Sequence, residues 1–217
     1  MALTGLALPG YACTAEIWER VQVALAPGIH LEPVDWPRER TPGFHRVSDF
    51  AGWLVERYFP ARIDFLIGHS MGGLVAIEYL AETAYSGIRL ILVESFLTPP
   101  GPFFQNLVMA EFYPERQRSL KEMLQRERGY YSAGLQNWLK TCDDCEDISR
   151  LLRLGIRIRC IYGDRGCRDR QQTARELAWP QPLNEQVPVD WVRDACHFPM
   201  LENPVEMAAI LRQILEP

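Results

Sequence analysis

No apolar run in this 217-residue chain is long enough to cross a bilayer. The opening, MALTGLALPGYAC, is apolar but lacks the basic start and long apolar core of a secretory leader. These two absences set the expectation of a cytoplasmic protein with reduced cysteines and no membrane partner. An excess of positive charge is also lacking. The 23 Lys and Arg stand against 28 Asp and Glu, a net charge of −5, which argues against a general nucleic-acid binder and leaves small-molecule substrates open. There is no GxGxxG, no P-loop and no HExxH, so no nucleotide or metal cofactor is expected. Cys142 and Cys145 form a CxxC, but there is no second CxxC and no nearby histidine to complete a zinc set. They are expected to be free thiols. Lysine is scarce, Lys121 and Lys140 only, and that scarcity points to no function. Internal repeats and low-complexity tracts are absent.

What is present is an alternation of strand-like and helix-like segments, the pattern of an α/β fold with a mainly parallel sheet in one domain, 1–217. Strands are expected over 3–8, 29–35, 63–68, 88–94, 156–162 and 187–193. Helices are expected over 15–26, 47–58 (capped by Ser48 or Asp49), 71–85 and 203–215. Between the fourth and fifth strands the rhythm breaks. A crossover needs one helix of about a dozen residues, yet 97–152 is helix-like throughout. This insertion holds Phe103, Phe104, Phe112, Tyr113, Tyr130, Tyr131 and Trp138. Some of these aromatics must form its own core. The rest suit a cap over a ligand crevice at the carboxyl edge of the sheet.

The third strand runs into GHSMG, residues 68–72, a match to G-x-S-x-G in its required setting of strand, sharp turn and helix. A nucleophile there sits on a strained turn that lifts its hydroxyl above the sheet. Side chains two before and two after would meet neighbouring backbone, hence Gly68 and Gly72. The helix starting at Met71 aims its amides and positive dipole end at the same place. A serine hydroxyl also needs a base, and the chain has four histidines. His30 lies in or before a strand, His45 in a polar loop, and His69 beside the serine as a packing residue. His197, in DACHFPMLENP, follows the last strand and reaches the same sheet edge as Ser70.

The chain resembles the α/β-hydrolase superfamily, close to the small bacterial serine esterases with a helical cap. The resemblance rests on LPGYACTAEIWERV, GHSMGG, IYGD and HFPMLENP, which occur in family order across nearly the whole chain. It implies Ser70 as nucleophile and His197 as general base. It also implies an oxyanion hole from the backbone amides of Tyr11 and Met71. Two departures stand out. The family opens with two further antiparallel strands, and this chain starts at the third, leaving a six-stranded sheet. The triad acid usually stands three residues after the glycine that ends the fifth strand here, and that place holds Gly166. Asp164 comes two residues early. Asp169, between Arg168 and Arg170, comes three late and suits a surface charge. Some family members take the acid from the end of the preceding strand, which here is Glu94. Asp164 and Glu94 both remain candidates.

The expected function is therefore hydrolysis of carboxylic esters or thioesters through an acyl-enzyme on Ser70, without a cofactor, on a small-molecule substrate. Two alternatives accompany it. One is an esterase for acyl groups linked to acyl carrier protein, a pimeloyl-type methyl ester, with Arg116, Arg118, Lys121, Arg126 and Arg128 facing the acidic carrier. Glu115, Glu122 and Glu127 interleave with them, which suits a solvated helix instead. The other is a lyase or ligand-binding protein on the same fold.

Overall fold

The computed structural model describes residues 2–58, 62–99, 101–104, 107–109, 113–143, 145–167, 169, 171, 175, 177 and 179–216. Phe112, Arg168 and Arg170 lie outside them. Six strands form one sheet: β1 (Leu3–Leu8), β2 (Ile29–Pro33), β3 (Phe65–His69), β4 (Arg89–Val93), β5 (Arg157–Gly163) and β6 (Val189–Val192). Their order is β2-β1-β3-β4-β5-β6, and every pairing is parallel. His69 pairs with Val93, and Val93 with Ile161, so the carboxyl ends of the central strands finish level.

The central strands β3 and β4 are buried on both faces because both faces are covered, whereas the edge strand β2 alternates buried and exposed residues. Side chains alternate between two cores, as strand geometry requires. Leu6, Leu8, Leu66, Leu90, Leu92 and Tyr162 join one. Ala7, Phe65, Ile67, Ile91, Val93 and Ile161 join the other. The first core is closed by α2 (Val47–Arg57), α3 (Met71–Thr83) and α6 (Cys145–Arg153), which pack on one another. The second is closed by α1 (Glu19–Leu25), entered through a 3-10 turn at Ala15–Trp18, and by the last helix, α9 (Pro204–Leu215). Helix α2 begins at Val47, before both expected caps, Ser48 and Asp49. Arg46 is the N-cap, and Asp49 reaches back from the third helical position to accept from the amides of His45 and Arg46, at 2.7 and 3.0 Å.

Between β4 and β5, α6 packs against α3 as the ordinary crossover helix. The additional elements are α4 (Pro114–Arg128) and α5 (Ala133–Leu139). They are tied to the loop after β2. Glu127, buried, accepts from Arg38 at 2.9 and 2.7 Å and from Arg126 at 2.8 Å. Ser132 Oγ donates to the Phe44 carbonyl oxygen at 2.6 Å and caps α5 through the Leu135 amide. Two short helices are also described, α7 (Gln181–Gln186) and α8 (Pro199–Glu202). No described helix is long and apolar enough to cross a membrane.

The strand order reverses direction between β1 and β3. At such a switch point the loops leaving two neighbouring strands part in opposite directions and open a crevice. The loop after β1 begins Pro9-Gly10-Tyr11, and the loop after β3 is Ser70.

Candidate active site

Ser70 sits between β3 and α3 with φ 51° and ψ −121°, a conformation sparsely populated by residues with a side chain. Three backbone bonds hold it there. Its amide donates to the Val93 carbonyl oxygen at 2.8 Å. Its own carbonyl oxygen accepts from the Gly73 amide and from Ser95 Oγ, both at 3.0 Å. The hydroxyl makes no capping bond to α3. The glycines are sterically required. A Cβ on Gly68 would strike the Gly72 carbonyl, and one on Gly72 would lie 2.6 Å from the carbonyl oxygens of Leu8 and Pro9. Gly10 belongs to the same knot, since a Cβ there would lie 3.2 Å from Ser70 Cβ. The turn after β1 is thus pressed against the serine. Among the described residues, the amides of Tyr11 and Met71 have no hydrogen-bond acceptor, although buried amides are ordinarily paired.

His197 lies in the loop after β6 and is held from four sides. Its amide donates to the Leu107 carbonyl oxygen at 3.0 Å. Its carbonyl oxygen accepts from His69 Nε2 at 2.8 Å, which fixes the His69 tautomer and brings the two rings to 4.9 Å between centroids. His69 is therefore more than packing: it fastens the histidine loop to the residue before Ser70. Burial, then the neighbouring His197, push its pKa well below the usual imidazole value, so it stays neutral. On the third side is Glu202, whose Oε2 accepts from the amides of Cys196 at 2.8 Å and Phe198 at 3.3 Å while Oε1 accepts from Met109 at 2.7 Å. Burial raises the Glu202 carboxyl and these amides lower it, with a net rise. On the fourth side is Glu94.

Glu94 is fully buried at the end of β4. Its Oε2 lies 3.3 Å from His197 Nδ1. Burial opposes its charge, but hydrogen bonds and charge from Arg165, followed by those of His197, outweigh it and hold the carboxyl below its usual range. An ionised Glu94 has no proton to give, so in this contact the hydrogen lies on His197 Nδ1. Asp164 is engaged elsewhere. Its Oδ1 accepts from the amides of Gly166 and Asp194, both at 2.9 Å, and among the described residues no hydrogen bond joins it to His197. Asp169 Oδ1 accepts from the Gln171 amide at 3.0 Å. Of the carboxylates the sequence left open, Glu94 alone is brought to the histidine.

The aromatics of the inserted segment divide. Phe104 faces the His197 ring at 6.3 Å, edge to face. Tyr131 packs on Tyr11 at 4.7 Å. Phe103 covers Arg165, its centroid 3.6 Å from the guanidinium carbon. Tyr113 is exposed and stacks under Arg116, and Tyr130 sits beside Arg38. The thiols nearest the site are inert at neutral pH, because burial pushes both Cys13 and Cys196 up to about 12. Among the described residues no group of three His, Cys, Asp or Glu is placed to hold a metal ion.

Sequence reasoning assigns no role to Arg165, Glu202 or Ser95. Glu202 stood inside the quoted HFPMLENP, and a carboxylate in an apolar loop between two prolines is itself a signal of a buried acceptor.

Strand, strained serine, helix, and a histidine backed by a buried carboxylate meet at one edge of the sheet, and the comparisons give the family of the chain that carries them. The profile described as "Alpha/beta hydrolase family" matches residues 6–210; the chain belongs to that family. No curated protein matches it in sequence. Among solved structures, it is similar to a bacterial membrane phospholipase A (TM-score 0.71, 19% identity, covering 99% of this chain and 79% of that one). It is also similar to a structure from a study of carboxylesterases of Nitrososphaera gargenis (0.69, 15%, 99% and 90%). A third is carboxylesterase CesB of Bacillus subtilis (0.63, 16%, 100% and 85%). At these identities the likeness is one of fold.

Proposed function

We propose that the protein is a serine hydrolase that cleaves carboxylic esters or thioesters. The observation that carries this reading is the arrangement around His197, with an ionised, buried Glu94 on Nδ1 and the serine turn fastened to the same loop through His69. In this reading Ser70 Oγ attacks the acyl carbonyl while His197 Nε2 takes its proton. The carbonyl oxygen, now negative, is met by the amides of Tyr11 and Met71. His197 returns the proton to the departing alcohol or thiol, which leaves an acyl-enzyme. Water, deprotonated by His197, then attacks the acyl carbon, and the proton passes back to Ser70. Glu94 stabilises the imidazolium formed in each half. Helices α4 and α5 act as the cap. Phe104 and the Tyr11–Tyr131 pair suit uncharged acyl groups of medium length.

The test pairs fluorophosphonate labelling with turnover of p-nitrophenyl esters of graded chain length and of acyl thioesters, free and carried on acyl carrier protein. Wild type should label and turn over, and Ser70→Ala should do neither. Turnover confined to the carrier-borne substrate would assign the carrier-linked esterase. Labelling without turnover of any ester or thioester, with tight small-ligand binding, would assign the lyase or binding alternative.

A further inference from the structure

The turn that ends β5 is unusual in what it does with its residues. Cys167 donates its amide to the Asp164 carbonyl oxygen at 2.8 Å, and the two residues between have positive φ, 52° for Arg165 and 70° for Gly166. That pattern is a type I′ turn, whose second central position favours glycine. Gly166 thus serves the turn at the place where the resemblance expects an acid. Arg165 takes a conformation costly for a long side chain, and its side chain is directed inward. The guanidinium is 12% exposed and every nitrogen is engaged. Nη1 donates to Glu94 Oε1 and to the Gly163 carbonyl oxygen, both at 2.7 Å. Nη2 donates to Glu94 Oε2 at 2.6 Å, and Nε to the Phe103 carbonyl oxygen at 3.3 Å. The Gly163 amide supplies a further bond to Glu94 Oε1 at 2.6 Å.

We propose that Arg165 is the positioning residue of the acid–histidine pair: it fixes the plane of the Glu94 carboxylate so that Oε2 keeps a lone pair aimed at His197 Nδ1. The inference rests on the serine-hydrolase reading. A carboxylate on a flexible side chain can rotate about its last bond, and two parallel bonds from a rigid guanidinium stop that rotation. Phe103, stacked on the outer face, keeps water from the pair. The same ion pair keeps Glu94 charged against its burial. Glu94 also faces Tyr162, Cys196 and Glu202 at longer range. The tyrosine and the thiol are pushed upward and stay neutral in the working range; Glu202, and Asp164 through its bond to the Asp194 amide, are the described acids that also bear on the loop.

The experiment measures kcat and kcat/KM against pH for the full chain and its Arg165→Gln, Arg165→Lys, Glu94→Gln and Arg165→Gln/Glu94→Gln variants. The substrate is a p-nitrophenyl ester that wild type accepts, and melting temperatures are recorded alongside. Arg165→Gln should lower kcat about 10- to 100-fold with KM nearly unchanged. It should also move the acid limb up by about one pH unit, because the strongest influence set against the burial of Glu94 is gone and only His197 and the Gly163 amide remain. Arg165→Lys should bring the limb back but only part of the rate, since an ammonium cannot hold both oxygens in one plane. In the Glu94→Gln background the Arg165→Gln change should cost less than about threefold, because the group it positions is gone. An unmoved acid limb, or the same cost in both backgrounds, would overturn the proposal. Should Arg165→Gln fail to fold, Arg165→Lys carries the test through its rate loss at an unmoved limb. If Glu94→Gln itself keeps full turnover, the assignment of the acid has failed. If Glu94→Gln is slow and the Arg165 variants match wild type, only the inference about Arg165 has failed.

Discussion

Replacing Glu94 by glutamine should separate the two carboxylates that the sequence offered. The amide keeps one oxygen, and that oxygen is claimed by Arg165 Nη1 and the Gly163 amide, which donate to Oε1. The amide nitrogen then falls at the place of Oε2, facing His197 Nδ1. A donor there forces Nδ1 to accept, so the ring proton moves to Nε2, and His197 can no longer take the proton of Ser70. In the serine protease triad the equivalent change costs about 10⁴ in kcat. Here the contact is long, 3.3 Å, against about 2.8 Å for a strong charge-assisted bond. Arg165 already neutralises part of the carboxylate charge. The expected loss is therefore smaller, about 10²- to 10³-fold, or roughly 2.7–4 kcal/mol of transition-state stabilisation. Asp164→Asn keeps Oδ1 as acceptor for the Gly166 and Asp194 amides and should stay within about twofold of wild type, a change too small to mark a group in the triad. The assay is steady-state hydrolysis of a p-nitrophenyl ester, with melting curves to confirm that both variants are folded. Loss of turnover in Asp164→Asn with near-normal Glu94→Gln, at matched melting temperatures, would refute the assignment.

Three further outcomes follow from the same contacts. Gly72→Ala sets a Cβ 2.6 Å from two backbone carbonyl oxygens, so the turn must shift; the variant should lose several degrees in melting temperature and most fluorophosphonate labelling. Cys196→Ala removes a buried thiol that touches Met109 Sδ at 3.5 Å and takes no part in the chemistry, so kcat should stay within about threefold; a loss as deep as that of Ser70→Ala would mean the nucleophile is misassigned. The folded-state pKa of Glu94 lies below its ordinary 4.5, so the unfolded chain binds the proton more tightly. Its stabilisation is present above about pH 4.5 and is lost as pH falls through the lower folded value; urea midpoints of wild type and Glu94→Gln should converge on acidification, and a constant gap would contradict the shift.

The strands, their parallel order and the serine turn were legible in the sequence because each is local. Six apolar runs and a five-residue motif carry them. His197 was legible because only one of four histidines followed a strand at the right sheet edge. The acid was not. Glu94 and Asp164 both end a strand, and which one meets the histidine depends on a two-residue turn that directs Arg165 inward and spends Asp164 on backbone amides. Nothing in the spacing of IYGDRG marks Arg165 as buried, since arginine is ordinarily a surface residue. The short helices α7 and α8 were missed for a related reason. At six and four residues they span less than two turns, too short to show an apolar i, i+3, i+4, i+7 pattern, and α8 is held by packing on α1 and α9.

The Glu202 carboxylate joins Met109 to both neighbours of His197, and the His197 amide is bound to Leu107. Residues 107–109 and the proposed base therefore move as one body. A substrate that entered by lifting that segment would unseat the base it needs, so a productive route has to leave the segment in place. The opposite wall is joined more lightly: Tyr131 packs on the Tyr11 ring at 4.7 Å, and Thr14 Oγ1 of the first loop donates to Met123 Sδ of α4 at 3.4 Å. Passage between the α4–α5 turn and the first loop would leave the histidine loop in place and press instead on Tyr11, so the strain of entry would fall on the proposed oxyanion donor and not on the proposed base.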